Sequence, residues 1–302
     1  MDHMQRRSVA ARAAAWALVA GTSPLLAQGL PDDPLQRRCW LDHTAERTVV
    51  DLREPTAVRF SNLRHGYIVR SPVWVEYGVR GMGVIPAGNP HDKAGHHHLL
   101  VDTPLPVAHR DKIPFSSTHV HFGKGQTGTS LELAPGPHTL RLLFADHDHR
   151  PYFVFSREIT IHVAASRGGP APVIDPARFA ETCAAWYQDT VSTPRPAGKD
   201  VYAKNLRSGE SVSSPFVLSL GVMGLGVAPA GSKAKDSGHF AYGVSTRAGV
   251  PVLRQELSDG RTEALVELPR GDYQVELQFL GNDGSVLLRS APLQVNVVKQ
   301  SL

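Results

Sequence analysis

The 302-residue chain is poor in sulfur, with two cysteines and four methionines. Met1 and Met4 open it, so only Met82 and Met223 lie in its body. That argues against a methionine-rich copper carrier. Aromatics make up 7% of residues, and no basic run is interleaved with them, which argues against a nucleic-acid partner. Neither a Gly-x-Ser-x-Gly step nor a His-Glu-x-x-His step occurs, so two common hydrolase signatures are missing. Long apolar runs are missing too, with one exception. Arg6, Arg7 and Arg12 precede an apolar stretch from Ala13 to Ala27, too short to span a bilayer comfortably.

That stretch has the pattern of a cleaved secretory signal over residues 1–27, with Met4 as an alternative start. An uncleaved anchor is the competing reading. Removing the segment takes away three Arg and one Asp, so the formal charge goes from +4 to +4 − 3 + 1 = +2. The expected location is periplasmic or secreted, with no transmembrane segment after signal removal.

What the chain does have is glycine, proline and short apolar runs, which argue for many short strands joined by turns. It also has an internal repeat. Asn62-Leu63-Arg64-His65-Gly66 recurs as Asn205-Leu206-Arg207-Ser208-Gly209. Ser71-Pro72 answers Ser214-Pro215, Gly81-Met82-Gly83-Val84 answers Gly224-Leu225-Gly226-Val227, and Gly95-His96 answers Gly238-His239. After a small gap, Thr139–Phe144 answers Gln274–Phe279. The expected fold is therefore all-β, with two tandem small antiparallel β-sandwich domains of immunoglobulin-like shape. The expected boundaries are a signal over 1–27, an extension over 28–60, a first domain over 61–165, a linker over 166–200 and a second domain over 201–302. Helical periodicity is visible only in Ala177–Gln188.

Cys39 and Cys183 precede their repeats by 23 and 22 residues. An even count in an exported protein favours a disulfide. Equivalent positions meet near the axis of two units packed with pseudo-twofold symmetry, so a Cys39–Cys183 bridge is expected. Two separate buried thiols are the alternative.

Histidine is the residue the repeats do not share. The first unit has His96-His97-His98, His119-Val120-His121 and Asp146-His147-Asp148-His149. Residues two apart on a strand share a face, so each cluster supplies a pair of imidazoles if its strand stays extended. Imidazole is a good ligand for copper or zinc, and Asp146, Asp148 or Asp102 could ligate directly or orient a ligating ring. In the second unit Phe240 stands for His97, Ala241 for His98, Asn282 for His147 and Gly284 for His149. Only His96 persists, as His239. The frame does not need the imidazoles, which favours a functional reading: a divalent metal site drawn from His96, His97, His98, His119, His121, Asp146, His147 and His149. Phe122-Gly123-Lys124-Gly125-Gln126-Thr127 reads as a hairpin loop beside that site, where Lys124 or Gln126 could contact an anionic ligand. His65, His91, His109, His138 and His162 read as bystanders.

Gly81–Val84 with Pro86-Ala87-Gly88, Gly95–Asp102, His119–Thr127 and Leu133 through His149 together resemble the bacterial DUF4399 family. The resemblance covers roughly Ser71 to Val163, and the second unit looks like a degenerate copy. It implies a small exported β domain and supplies no activity. The family segment after the last His pair often holds another His, whereas Arg150-Pro151-Tyr152 keeps the Pro and lacks it. Three functional classes stay open. The first is metal binding, storage or delivery in the envelope. The second is a metal-free module binding a ligand or an envelope protein. The third is a metal-dependent enzyme, where an open metal position would activate water or oxygen. The absent catalytic motifs make binding the leading reading.

Overall fold

The computed structural model describes residues 29–49, 56–105 and 111–300, the last two by backbone alone. The expected signal over 1–27 and His109 lie outside the described residues.

Two short helices come first, α1 (Pro34–Asp42) and α2 (Thr44–Thr48). Asp33 caps α1 by accepting the Gln36 N–H at 2.9 Å, with Pro34 at the first helical position, where its missing donor costs nothing. The first unit follows as β1 (Ala57–Phe60), β2 (Ile68–Ser71), β3 (Val73–Arg80), β4 (Gly83–Val84), β5 (Ala94–Val101), β6 (His119–His121), β7 (Gly128–Leu131), β8 (Gly136–Ala145), β9 (Pro151–Phe155) and β10 (Ile159–Ser166). A third helix, α3 (Phe179–Val191), separates it from the second unit. That unit contains β11 (Asp200–Ala203), β12 (Glu210–Ser214), β13 (Phe216–Met223), β14 (Gly226–Val227), β15 (Ser237–Thr246), β16 (Pro251–Glu256), β17 (Glu263–Val266), β18 (Gly271–Gly281), β19 (Val286–Arg289) and β20 (Leu293–Gln300).

Each unit is a sandwich of a three-stranded and a seven-stranded sheet, in the same order in both. The small sheets run β1-β3-β7 and β11-β13-β17. The large ones run β2-β10-β8-β5-β4 and β12-β20-β18-β15-β14, with β6 and β16 on the central strands β5 and β15. The sandwiches are not wholly antiparallel as expected. β2 pairs β10 and β4 pairs β5 in parallel, as do their counterparts.

β3 and β13 are buried along nearly their whole length, on both faces. Their inner faces pack on the large sheets, and their outer faces meet the other unit. Arg59 pairs with Glu263 across that boundary, and Thr127 Oγ1 both accepts from Val222 N (3.1 Å) and donates to Val222 O (3.2 Å). Two symmetric backbone bonds close it. Val84 N donates to Gly260 O, and Val227 N to Gly125 O, each at 2.8 Å. Gly125 and Gly260 have φ of +76° and +79°, and a Cβ on either would strike the opposing strand. One continuous apolar core therefore spans both units.

The segment expected as a linker, 166–200, contains α3, and the extension over 28–60 holds α1, α2 and β1. The helix coincides with the periodicity in Ala177–Gln188, and the Gly- and Pro-rich Ala164–Val173 precedes it. The helical segments are exchanged between units. α3 precedes the second unit and packs on the first: Asp189 takes both arms of Arg70 at 2.9 Å, and Asn62 Nδ2 donates to Val191 O at 2.7 Å. α1 and α2 precede the first unit and pack on the second: Arg47 pairs with Glu210, and Asn205 Nδ2 donates to Arg47 O at 3.0 Å. Cys39 and Cys183 join the two clasps in a disulfide, as expected, with Trp40, Trp186 and Tyr187 packed around it. No described helix is long and apolar enough to cross a membrane.

Candidate metal centre

β5 lies in the middle of the large sheet, so both of its faces are covered. Alternation sends Leu99 and Val101 into the sandwich core and His96, His98 and Leu100 to the outer face. β6 pairs with β5 in the register His98↔His121 and Leu100↔His119. That places the His121 ring beside His98, at 5.0 Å between centroids. Gly123 makes room for it, because a Cβ there would collide with the imidazole.

The fourth ring comes from the turn after β8. The strand does not stay extended through Asp146–His149, contrary to the condition on which pairing His147 with His149 rested. Asp146 Oδ1 accepts the N–H groups of Asp148 (2.8 Å) and Arg150 (2.9 Å), which reverses the chain. His149 takes a left-handed φ of 67°, unusual for a residue with a Cβ, and its carbonyl is held by Ile113 N at 2.9 Å. Its ring then lies 4.8 Å from His121 and 5.0 Å from His96.

Four imidazoles therefore converge: His96, His98, His121 and His149. One nitrogen each from His96, His121 and His149 lies within 4.8 Å of the other two, and the Nε2 atoms of His96 and His98 are 3.1 Å apart. Phe115, from the loop between β5 and β6, stacks on His121 at 4.5 Å and meets His149 edge-on at 4.9 Å, while the residue as a whole is 57% exposed. It lids the cluster and had no sequence signal of its own.

These residues fit a metal ion. His96 Nδ1, His98 Nδ1 and His121 Nε2 are buried without a hydrogen-bond partner, an arrangement that costs free energy in the metal-free protein. Burial, reinforced by the neighbouring rings, pushes His96 down to about 3 and His98 to about 2, and lowers His121. Neutral imidazoles with available lone pairs are what metal ligation needs. Ring nitrogens about 2.0–2.1 Å from a tetrahedral ion sit roughly 3.4 Å apart, so the rings need to close by only about 1 Å.

The other expected ligands are elsewhere. His97 faces inward, against Tyr77 (4.7 Å) and Phe144 (4.9 Å). His119 points to the loop, its Nδ1 3.3 Å from the Ser116 and Thr118 hydroxyls. Asp146 is occupied by its turn, and His147 meets Gly88 N only through its carbonyl (2.9 Å). Asp102 holds His138 at 2.6 Å, away from the cluster. Gln126 Oε1 accepts the Lys124 N–H at 2.8 Å, and Gly125 between them docks on the second unit. That loop shapes an interface and adds no group to the cluster among the described residues. Cys39, Cys183 and His43 also lie close together, but the sulfurs are bonded to each other and are not ligands.

In the second unit the register Ala241↔Glu256 puts Glu256 where His121 stands. His239 Nε2 lies 2.8 Å from Glu256 Oε1, so that nitrogen meets a carboxylate, while its Nδ1 is buried without a partner as in His96. Gly284, at φ 81°, occupies the place of His149.

The family model described as "Domain of unknown function (DUF4399)" matches residues 75–164 and 218–298. The chain belongs to the DUF4399 family. The two matches are its two units. Among curated proteins nothing matches. Solved structures with some likeness include the fibronectin(III)-like modules of Clostridium thermocellum CbhA (10% identity over 80% of this chain and 94% of that one, TM-score 0.23). CopC from Methylosinus trichosporium OB3b is 18% identical over 35% of this chain and 97% of its own, TM-score 0.23. The FN1-FN3 domains of chicken CNTN1 are 13% identical over 82% and 67%, TM-score 0.21. Likenesses at this level carry no weight for function, and the strand order above stands on its own.

Proposed function

We propose that this DUF4399 protein binds a divalent transition-metal ion, copper or zinc, through His96, His98, His121 and His149. It does so as an exported envelope protein, periplasmic or secreted, engaged in metal binding, storage or delivery. One observation carries the reading: four imidazoles converge in one unit, three of them with a buried, unpartnered nitrogen, while the sister unit keeps the frame with a single histidine whose Nε2 meets a carboxylate. An all-imidazole set without thiolate or thioether suits Cu(II) or Zn(II) better than Cu(I). The disulfide and the basic-then-apolar N-terminus support export.

The test is metal content by mass spectrometry on untagged protein recovered from the periplasm. His121→Ala and His149→Ala stand beside it, with His119→Ala as a control. Stoichiometric metal in the parent and the control, and its loss in the other two, supports the reading. No metal in the parent, even after titration with zinc and copper, overturns it. Phe115 supports the second reading, a metal-free site for a planar ligand, which predicts ligand binding indifferent to chelators.

A further inference from the structure

A cavity of about 350 Å³, lined by none of the clustered imidazoles, lies where the two helical clasps meet both units. Trp40 and Trp74 form part of its wall. Its polar groups are unequal in sign. Glu210 is fully buried and saturated: it accepts from Arg47 Nη2 at 2.9 and 3.0 Å, from Trp40 Nε1 at 2.7 Å and from Arg207 N at 2.9 Å. Glu76 is engaged by Trp74 Nε1 (2.9 Å) and Arg195 Nε (3.2 Å).

Two cations are left over. The Arg207 guanidinium lies 3.4 Å above the Trp40 ring, and no described residue accepts a hydrogen bond from it. Lys204 Nζ donates once, to Tyr77 O at 2.6 Å, and its other two protons meet no described acceptor. Ser61, which the repeat aligns with Lys204, also lines the cavity, and its buried hydroxyl has no partner. Burial lowers Arg207 to about 10 and Lys204 to about 8, so both remain cations at neutral pH. Glu210 and Glu76 lie near enough to act on these charges but are already committed to other donors, so among the described residues the spare protons of Lys204 and Arg207 and the Ser61 hydroxyl face one space without acceptors, which calls for an acceptor-rich guest.

We propose that this cavity binds a small anion bearing carboxylate or phosphate oxygens. Lys204, Arg207 and Ser61 donate to those oxygens, and the two tryptophans flank its remaining atoms. The volume falls at the small end of ligand pockets. The site is independent of the metal reading and depends on the exchange of clasps, because Trp40 belongs to α1, ahead of the first unit, while Arg207 belongs to the second.

The experiment is calorimetric titration of the full chain with inorganic phosphate, glycerol phosphate, acetate and succinate at constant ionic strength, with tryptophan fluorescence in parallel. Saturable binding of at least one is expected, and the panel separates phosphate from carboxylate recognition. Arg207→Gln and Lys204→Gln should each weaken it about tenfold or more, as expected for a lost charged hydrogen bond. Ser61→Ala should weaken it less and keeps the test readable if a charge variant does not fold. His121→Ala and chelator should leave it unchanged, so its failure and that of the metal site are told apart. No saturable binding of any of the four, or binding undiminished by all three cavity substitutions, overturns the proposal.

Discussion

Replacing His97 by phenylalanine should stabilise the metal-free protein and leave metal binding intact. The sister unit has already made the exchange. His97 meets Phe144 edge-on at 4.9 Å and 71°, and Phe240 meets Phe279 at 5.1 Å and 71°. A six-membered ring therefore fits this place in the frame. The His97 ring is buried, and although the Gly78 backbone comes near, neither nitrogen makes a well-formed hydrogen bond. Burying such a group costs about 1–3 kcal/mol, some of which the larger ring returns as local crowding. A net gain of about 1–2 kcal/mol follows, or roughly 2–4 °C in Tm for a chain of this size. Urea denaturation followed by tryptophan fluorescence reads the first quantity, and zinc titration reads the second. His97→Phe that loses more than about 1 kcal/mol, or that fails to bind metal where the parent binds, would refute the inward-facing assignment.

His149→Gly should relieve a left-handed backbone and stabilise the apo protein by about 1 kcal/mol while weakening metal binding; thermal melts with and without zinc measure both effects. Acid should destabilise the apo protein. His96 and His98 stay neutral in the fold down to about 3 and about 2, whereas in the unfolded chain they take up protons below about 6.5. Their contribution is thus complete above that pH and is lost as pH falls toward those values, at up to about 1.4 kcal/mol per unit for each. His98→Ala, which copies Ala241, should flatten the slope of unfolding free energy between pH 7 and 5, and an unchanged slope would contradict the burial argument. Cys39→Ser with Cys183→Ser opens a closure spanning 144 residues and should cost about 2–5 kcal/mol, with limited proteolysis cutting first in the released clasps.

The repeat, the two β units and the disulfide were legible because identity at a constant offset survives whatever the strands do. The site was half legible. Period-two reasoning paired His96 with His98 but could not say which face pointed outward. The repeat held that information: His97 is replaced by Phe240, an apolar ring that marks a core position, and His119 by Arg254, which marks a solvent-facing one. Gly284 likewise marked the place of His149 as left-handed, where an extended strand was expected. Phe115 was invisible because it lies in a loop without a counterpart of equal length. The exchange of clasps was invisible because nothing local in α1–α3 says which unit each will cover.

The second unit has a reason to persist without imidazoles. β3 is buried on both faces, and its outer face has no cover within its own sandwich. The second unit supplies that cover, along with Glu263 for Arg59 and the Gly260 carbonyl for Val84. α1 and α2, although they precede the first unit, find their seat on the second. A copy without the imidazole cluster still presents the same small sheet and the same docking glycines. Substitutions are accordingly free on the outer face of β15 and β16, where Ala241 and Glu256 stand in for His98 and His121. At the boundary the symmetric pair of backbone bonds is kept. One task of the second unit is thus mechanical: to hold β3, and through it β5, in the position that brings four imidazoles together.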